Sequence, residues 1–505
     1  MPELSIVLAG LADAFTLTNF FFVFLGVVLG QFVGAVPGIG PVMAMAIAIP
    51  FTFGLDALVA IGFLMGVNKG GLVGGAIPAI LMNTPGTPDA AATALDGYPL
   101  AKQGKPLKAT KMALFSSVTG DTFSDIVLIT VSAPLAVLAL RMGPVEVMGL
   151  IVLAFCVISG LIGNSLSKGV IAAALGMLAA TVGTDPQHAT PRFYFGYFEV
   201  YDGLPLAAVA IGMLAISEIL RRMAQNAGLM KAGIELEDTG NPEDQRISWA
   251  EYWSCRFTLI RGTVIGTILG ALPGIGSTAA AFMSYAGARQ ASKTPEAFGK
   301  GSLHGIAASE SANSAVMGAN LIPLLTLGIP GSVGAALIIS AFMIHGIQPG
   351  PLLFEKQAQL IYGLFGAMIM ANVLNLIVGQ IGMRFWIRIV SAPESIIFPS
   401  ALLLCFVGVS LASGGIFGIA IMLIFAVLGL VMGAMGLSVV IFIIAFFLGP
   451  RLEESLSQTL ALLNGDVWML LNYPIALILF ALSLVTLVMI SHKSKPQGVS
   501  SEKSI

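Results

Sequence analysis

The chain has 505 residues, of which 57% are hydrophobic and only 10% charged, and its mean hydropathy is +0.94. Soluble domains carry about 25% charged residues and disordered chains are poor in apolar ones, so both classes are excluded. Three scattered cysteines give no disulfide framework, and a net charge of -2 gives no general pull toward nucleic acid.

What remains is an all-α polytopic membrane protein, and 59 glycines with 26 prolines predict helices that are broken or closely packed. A bilayer core takes about 20 apolar residues in a helix. Residues 1–19 lack the basic n-region of a signal peptide and are read as an interfacial helix or a short first span. Residues 20–222 form a first membrane repeat, with apolar runs near 56–82, 112–140, 145–162, 168–184 and 204–220. Residues 223–258 form a cytoplasmic linker containing "ELEDTGNPEDQR". It ends in "ISWAEYWSCRF", whose Trp249, Tyr252 and Trp253 suit a helix lying in the membrane interface. A second repeat, 259–456, has runs near 304–330, 359–383, 395–411, 416–432 and 436–450. Residues 457–490 are a C-terminal transmembrane segment, and 491–505 are a polar cytoplasmic tail.

The two halves resemble each other. "GQFVGAVPGIGP" (30–41) matches "GTILGALPGIGS" (266–277), and "IPAILMNTPGT" (77–87) matches "IPLLTLGIPGS" (322–332). Pro78 and Pro85 recur as Pro323 and Pro330, each 245 residues later, and the same interval carries Asn68 onto Asn313. "DGYP" (96–99) and "HGIQP" (345–349) match with a one-residue gap. Lys and Arg accumulate on the cytoplasmic side. Lys102, Lys105, Lys108 and Lys111 put loop 97–111 inside, whereas its counterpart 345–358 has only Lys356 and reads as outside. Arg289, Lys293 and Lys300 put 287–303 inside, and its counterpart 51–57 has no basic residue. Arg221, Arg222, Lys231, Arg246, Arg256 and Arg261 place the central stretch inside as well. Opposite signs at equivalent positions predict two inverted repeats. With Arg261 and Arg289 on one side, the segment between them is a re-entrant hairpin, and 20–50 is its inverted equivalent.

Four Pro-Gly breaks are the main candidate site: Pro37, Gly38 and Gly40; Asn83, Thr84, Pro85, Gly86 and Thr87; Gly274, Gly276 and Ser277; and Pro330, Gly331 and Ser332. Proline and glycine unwind a helix, and unwound backbone at membrane depth is tolerated only where protein or a wet cavity surrounds it. Freed carbonyls suit a hard cation, and freed N–H groups at half-helix starts suit carboxylates. One such break is most simply a kink or a packing site; four, paired by symmetry, point to a binding site. Asn68 and Asn313 join the substrate-binding candidates.

Charge inside apolar runs is the second clue. Lys69 lies in "GVNKGGLVGG", Asp121 and Asp125 lie one turn apart in "GDTFSDIVL", and Glu310 lies in "SESANSA". A Lys69–Asp pair would neutralise groups otherwise buried alone. Lys69 is read as attracting an anionic substrate or as standing in for a coupling cation. Asn83, Thr87, Asp121, Asp125, Glu310 and Ser332 are the candidates for a coupling ion or proton. His188, His304, His345 and His492 share no metal-ligand spacing, so no metal site is expected, and no cofactor beyond Na⁺ or H⁺ as coupling ion. GxxxxGK[ST], HExxH and GxSxG are absent, so no P-loop hydrolysis and no catalytic residue is assigned. A transporter is the preferred class, with an intramembrane enzyme or a passive channel as the alternatives.

"AILMNTPGTPDAAATALDGYPLAKQGKP" (79–106), both "PGIG" segments, "VGTDPQHATPRFYFG" (182–196) and "SESANSAVMGANLIPLLTLGIPGS" (309–332) resemble the TctA-type large membrane subunit of tripartite tricarboxylate transporters. The resemblance covers nearly the whole chain. It implies a multi-pass subunit of the bacterial inner membrane, working with a small membrane subunit and a periplasmic solute-binding protein. It further implies uptake of carboxylates such as citrate, driven by an Na⁺ or H⁺ gradient. An elevator-like core with a surrounding scaffold is the expected arrangement. The chain departs from the family at "NKGGLVGGA" (68–76), where "YYGAMYGGS" is frequent, and at Asp121 and Asp125, where small or apolar residues are usual.

Overall fold

The computed structural model describes residues 3–36, 40–85, 87–161, 166–185, 190–225, 241–273, 276–389, 394–464 and 466–493. These are almost wholly helical. In chain order they form α1 (Leu4–Ala14), α2 (Leu17–Gly34), α3 (Pro41–Ala48), α4 (Ala57–Met82), α5 (Ala90–Lys102), α6 (Pro106–Ala139), α7 (Pro144–Leu161) and α8 (Leu166–Ala180). A two-residue antiparallel ladder follows, β1 (Gly183–Thr184) with β2 (Pro191–Arg192). Next come α9 (Leu206–Ile211) and α10 (Ser217–Gln225), joined through the π-turn Gly212–Ile216, then α11 (Trp249–Ser254), α12 (Arg256–Gly270) and α13 (Gly276–Gln290). The last elements are α14 (Leu303–Ala319), α15 (Leu321–Leu327), α16 (Val333–Ile344), α17 (Leu353–Lys356), α18 (Ala358–Ile389), α19 (Glu394–Ala412), α20 (Ile416–Ala434), α21 (Val439–Leu463) and α22 (Pro474–Lys493). Among the described residues five helices are long and apolar enough to cross a membrane: α2, α4, α6, α18 through Trp386, and α20.

The chain forms two compact units, Met1–Arg141 with Pro205–Leu430, and Met142–Leu204 with Val431–Ile505. In the second unit α8 packs on α21, with Gly176 against the Phe442 backbone, and α7 packs on α22. There Arg192 holds Glu453 through two hydrogen bonds of 2.5 and 3.0 Å. All candidate site residues lie in the first unit.

Local chemistry sets the helix ends in that unit. The Thr16 hydroxyl accepts from Asn19 N–H at the start of α2, and Ser332 accepts from Ala335 N–H at the start of α16. Pro78 lies inside α4, which closes at Asn83 with φ 51°. The single apolar run read at 304–330 is two helices, α14 and α15, that meet at Asn320. The run read at 436–450 continues helically to Leu463, because polar residues such as Arg451, Glu453 and Glu454 extend a helix as readily as apolar ones. Apolar length marks the bilayer, not the helix.

Two glycine ladders determine the tightest contacts. Gly26, Gly30 and Gly34 of α2 meet the backbone of Phe63, Val67 and Gly71 on α4, while Gly66, Gly70 and Gly74 of α4 meet Val23, Val27 and Gln31 on α2. A Cβ at any of these six would collide with a facing carbonyl. The second half repeats the device: Gly262, Gly266 and Gly270 of α12 meet Ser311, Ala312 and Val316 of α14. Small residues at four-residue spacing let helix backbones touch.

Ahead of α12, α11 is closed by a capping box between Ser248 and Glu251. Trp249 and Trp253 are exposed and stacked at 5.8 Å, while the Tyr252 hydroxyl meets Thr119 on α6. Burial opposes ionisation of Glu251, but its bonds with Lys108 and Ser248 hold its carboxyl below the usual range. At the N-terminus α1 packs along α18, and Gln359 donates to Asp13 at 2.6 Å.

Candidate functional site

The buried charges meet where α4, α6 and α18 pack together. Lys69 is 1% exposed, and its Nζ lies 2.8 Å from Asp121 Oδ1, 2.7 Å from Asp125 Oδ2 and 2.9 Å from Asn372 Oδ1. Asn372 donates its own N–H to Asp125 Oδ2 at 2.8 Å. A second asparagine, Asn375, donates to the Lys69 carbonyl at 3.1 Å and accepts from Gln31 at 2.6 Å. Gly66 and Gly70, on either side of Lys69 in sequence, let α2 approach α4 closely.

A second cluster gathers around Asp89, a buried residue two positions beyond the "NTPGT" break. The side chains of Thr87, Asn313 and Ser277 lie close enough to its carboxyl to interact with it. These three come from the loop after α4, from α14 and from the start of α13, so residues from the breaks in both halves converge on one carboxylate. Asn313 is buried, and its Oδ1 has no hydrogen-bond partner.

The corresponding region of the other half groups Asn68, Met45, Ser332 and Gly334. A Cβ on Gly334 would lie 3.1 Å from Met45 Cε, 3.8 Å from Ser332 Oγ and 3.9 Å from Asn68 Oδ1. Asn68 donates weakly to Met317 Sδ at 3.6 Å, and its Oδ1 likewise lacks a partner. The 245-residue interval that pairs Asn68 with Asn313 pairs Asp89 with Gly334. One cluster therefore holds a carboxylate where the other holds a bare α-carbon.

Glu310 is buried between α14, α5 and α6, accepting from Thr93 at 2.5 Å and Ser117 at 2.7 Å. It stands outside the Lys69 cluster. Asp96, from "DGYP", accepts from the backbone N–H groups of Gly299, Gly301 and Ser302 at 2.8 to 2.9 Å and from Tyr285. It ties α5 to the start of α14.

The remaining candidates fall as follows. Gly40 caps α3 and Gly276 opens α13 with φ 73°. Asn83 is exposed, and Thr84 bonds back to Met82. Pro85 is half-buried and Pro330 buried, and Gly331 abuts Asn320. Pro37, Gly38, Gly86 and Gly274 lie outside the described residues. Asp89, Asn320, Asn372 and Asn375 were not singled out from sequence. Asp89 has a signal, since it falls 245 residues before Gly334; the asparagines have none beyond their apolar surroundings.

A family model described as Tripartite tricarboxylate transporter TctA family matches residues 20–444. The chain is 34% identical over 479 residues to an uncharacterized 52.8 kDa protein in the TAR-I ttuC' 3' region of Agrobacterium vitis, covering 95% of this chain and 94% of that one. It is also 34% identical over 224 residues to an uncharacterized protein in the TAR-II ttuC' 3' region of the same organism, covering 44% of this chain and 93% of that one. No solved structure matches it significantly.

Proposed function

Since this chain belongs to the tripartite tricarboxylate transporter TctA family, a family of transporters and not of enzymes, we propose that it imports an organic di- or tricarboxylate driven by an ion gradient. A tripartite system works with partner subunits: here a small membrane protein and a periplasmic solute-binding protein that delivers the substrate. The chain is a multi-pass membrane protein, and the inner membrane is its proposed location.

The convergence of Thr87, Ser277 and Asn313 on Asp89 carries this reading. An anionic substrate cannot approach a buried carboxylate unless a cation offsets it. Neutral hydroxyl and amide oxygens around one carboxylate are the donor set of a hard monovalent cation. The half-helix starts at Gly40, Gly276 and Ser332 offer N–H groups and the positive helix end to a substrate carboxylate. In this reading Na⁺ at Asp89 and the carboxylate beside it are held together between the two halves. The hairpins α2–α3 and α12–α13, with the breaks after α4 and α15, form an elevator-like core built on inverted repeats.

The test is uptake of labelled citrate into liposomes containing this chain, its small membrane subunit and the periplasmic protein. An inward ion gradient is expected to drive accumulation above the external concentration, and Asp89→Asn to lower its rate at least about tenfold. Accumulation indifferent to both Na⁺ and pH gradients, or equilibration without accumulation, overturns the reading.

A further inference from the structure

We propose that Lys69, Asp121 and Asp125 form a proton-carrying site, in which Lys69 stands as a fixed ammonium in the place of a metal cation and Asp121 takes up and releases one proton. This deepens the ion-coupled reading above and rests on it.

The geometry is the argument. An ammonium has three N–H donors, and Lys69 has three acceptors within 2.7 to 2.9 Å: Asp121 Oδ1, Asp125 Oδ2 and Asn372 Oδ1. It donates hydrogen bonds to Asp125 Oδ2 and Asn372 Oδ1, while Asp121 Oδ1 is held beside it by charge with no hydrogen bond of its own, so two carboxylates keep it charged. Two carboxylates share this one ammonium, so the fully ionised cluster carries one net negative charge in an almost wholly buried place. Such a charge is costly in low dielectric, and one added proton cancels it.

Nothing else nearby does so. The charged group facing the pair is Lys69 of α4, and Glu310 of α14 stands outside the cluster. Glu310 is itself acidic and is engaged by Ser117, one turn before Asp121 on α6. α18 offers the neutral Asn372, and no ion pair or hydrogen bond from α5, α12 or α15 reaches either aspartate among the described residues.

A metal cation does not fit where Lys69 already sits. Asp125 Oδ2 is shared by Lys69 and Asn372, and Asp125 Oδ1 faces Gly318 so closely that a methyl group there would stand 2.5 Å from it. A sodium ion needs several oxygens at distances near 2.4 Å; a proton needs one lone pair. Asp125 is wholly buried, whereas the Asp121 side chain keeps 4% exposure, which makes Asp121 the point of exchange. In the step itself a proton passes from water to an Asp121 oxygen, giving a neutral carboxylic acid. It returns to water from the same oxygen on the other side of the membrane, and Lys69 keeps its own protons throughout.

Infrared difference spectra of the purified full-length chain test this between about pH 5 and about pH 9. A protonated-carboxyl band is expected to titrate in K⁺ medium, to persist unchanged when Na⁺ replaces K⁺, to be lost in Asp121→Asn and to remain in Glu310→Gln. Lys69→Met is expected to shift the band's titration to higher pH, because the pair then lacks its counter-ion. Asp125→Asn, which preserves shape and balances the ammonium against one carboxylate, is expected to shift it to lower pH. A spectrum unchanged by both Asp121→Asn and Asp125→Asn, or a wild-type band erased by Na⁺, overturns the proposal. A titrating band in protein that accumulates no citrate defeats the transport reading alone.

Discussion

A lysine ammonium at the centre of a protein is stable only while its protons have acceptors, and at Lys69 those acceptors are two aspartates that need it equally. Removing one partner of a buried ion pair strands the other charge, at a cost of about 3–5 kcal/mol. Lys69→Met is therefore expected to lower the thermal unfolding midpoint in detergent markedly. Adding Asp125→Asn to it is expected to restore part of the loss, because the two sites are coupled. A Lys69→Met variant as stable as the parent contradicts the pairing. At this scale the sequence was legible where a charge interrupted an apolar run, as at Lys69, Asp121, Asp125 and Glu310. At Asp89 the one signal was its 245-residue interval to Gly334, because a carboxylate after a polar loop looks ordinary. Only the fold, by bringing Thr87, Ser277 and Asn313 around it, makes it exceptional. Asn372 and Asn375 were hidden for a related reason: an amide inside an apolar helix declares no partner until the neighbouring helix is known.

Between helices, the glycine ladders decide how closely α2 and α4, and α12 and α14, can lie. Gly30→Ala and Gly266→Ala each drive a methyl group into a facing backbone carbonyl. Each is expected to destabilise the protein by about 1–3 kcal/mol, the usual range for overpacking. Gly287, inside α13 with open space around its α-carbon, is the control: Gly287→Ala is expected to be neutral or to stabilise by up to about 1 kcal/mol. Melting curves of the three variants side by side check the ordering, and a Gly30→Ala protein as stable as Gly287→Ala refutes it. Most of the long helices were readable from apolar runs and from proline and glycine breaks. The ladders were not read, because glycine spacing within one helix names no partner. The split between α14 and α15 was missed because apolarity is continuous across it.

Over the whole molecule, α1, α2, α3 and α4 precede the break at 83–87, and α11, α12, α13, α14 and α15 precede the one at 328–332, so the internal sequence repeat falls on a similar order of helices with one extra division in the second half. Orientation was inferred from loop charge, which is a bilayer property rather than a fold property. It calls for its own measurement. Cys156, Cys255 and Cys405 are buried, so an introduced surface cysteine has little background. Gln103→Cys is expected to react with an impermeant maleimide only from the cytoplasmic face, and Lys356→Cys only from the opposite face. Labelling of both from one face refutes the inverted arrangement. The interlocked backbones of α2 and α4 have a mechanical consequence too. With rungs four residues apart, a helix repeats its grip about every 6 Å, and any smaller slip presses a carbonyl into an α-carbon. Lys69 stands between the rungs at Gly66 and Gly70. α2 and α4 are thus locked together: a displacement of either helix carries the other with it, and a distance probe on either reports the movement of both.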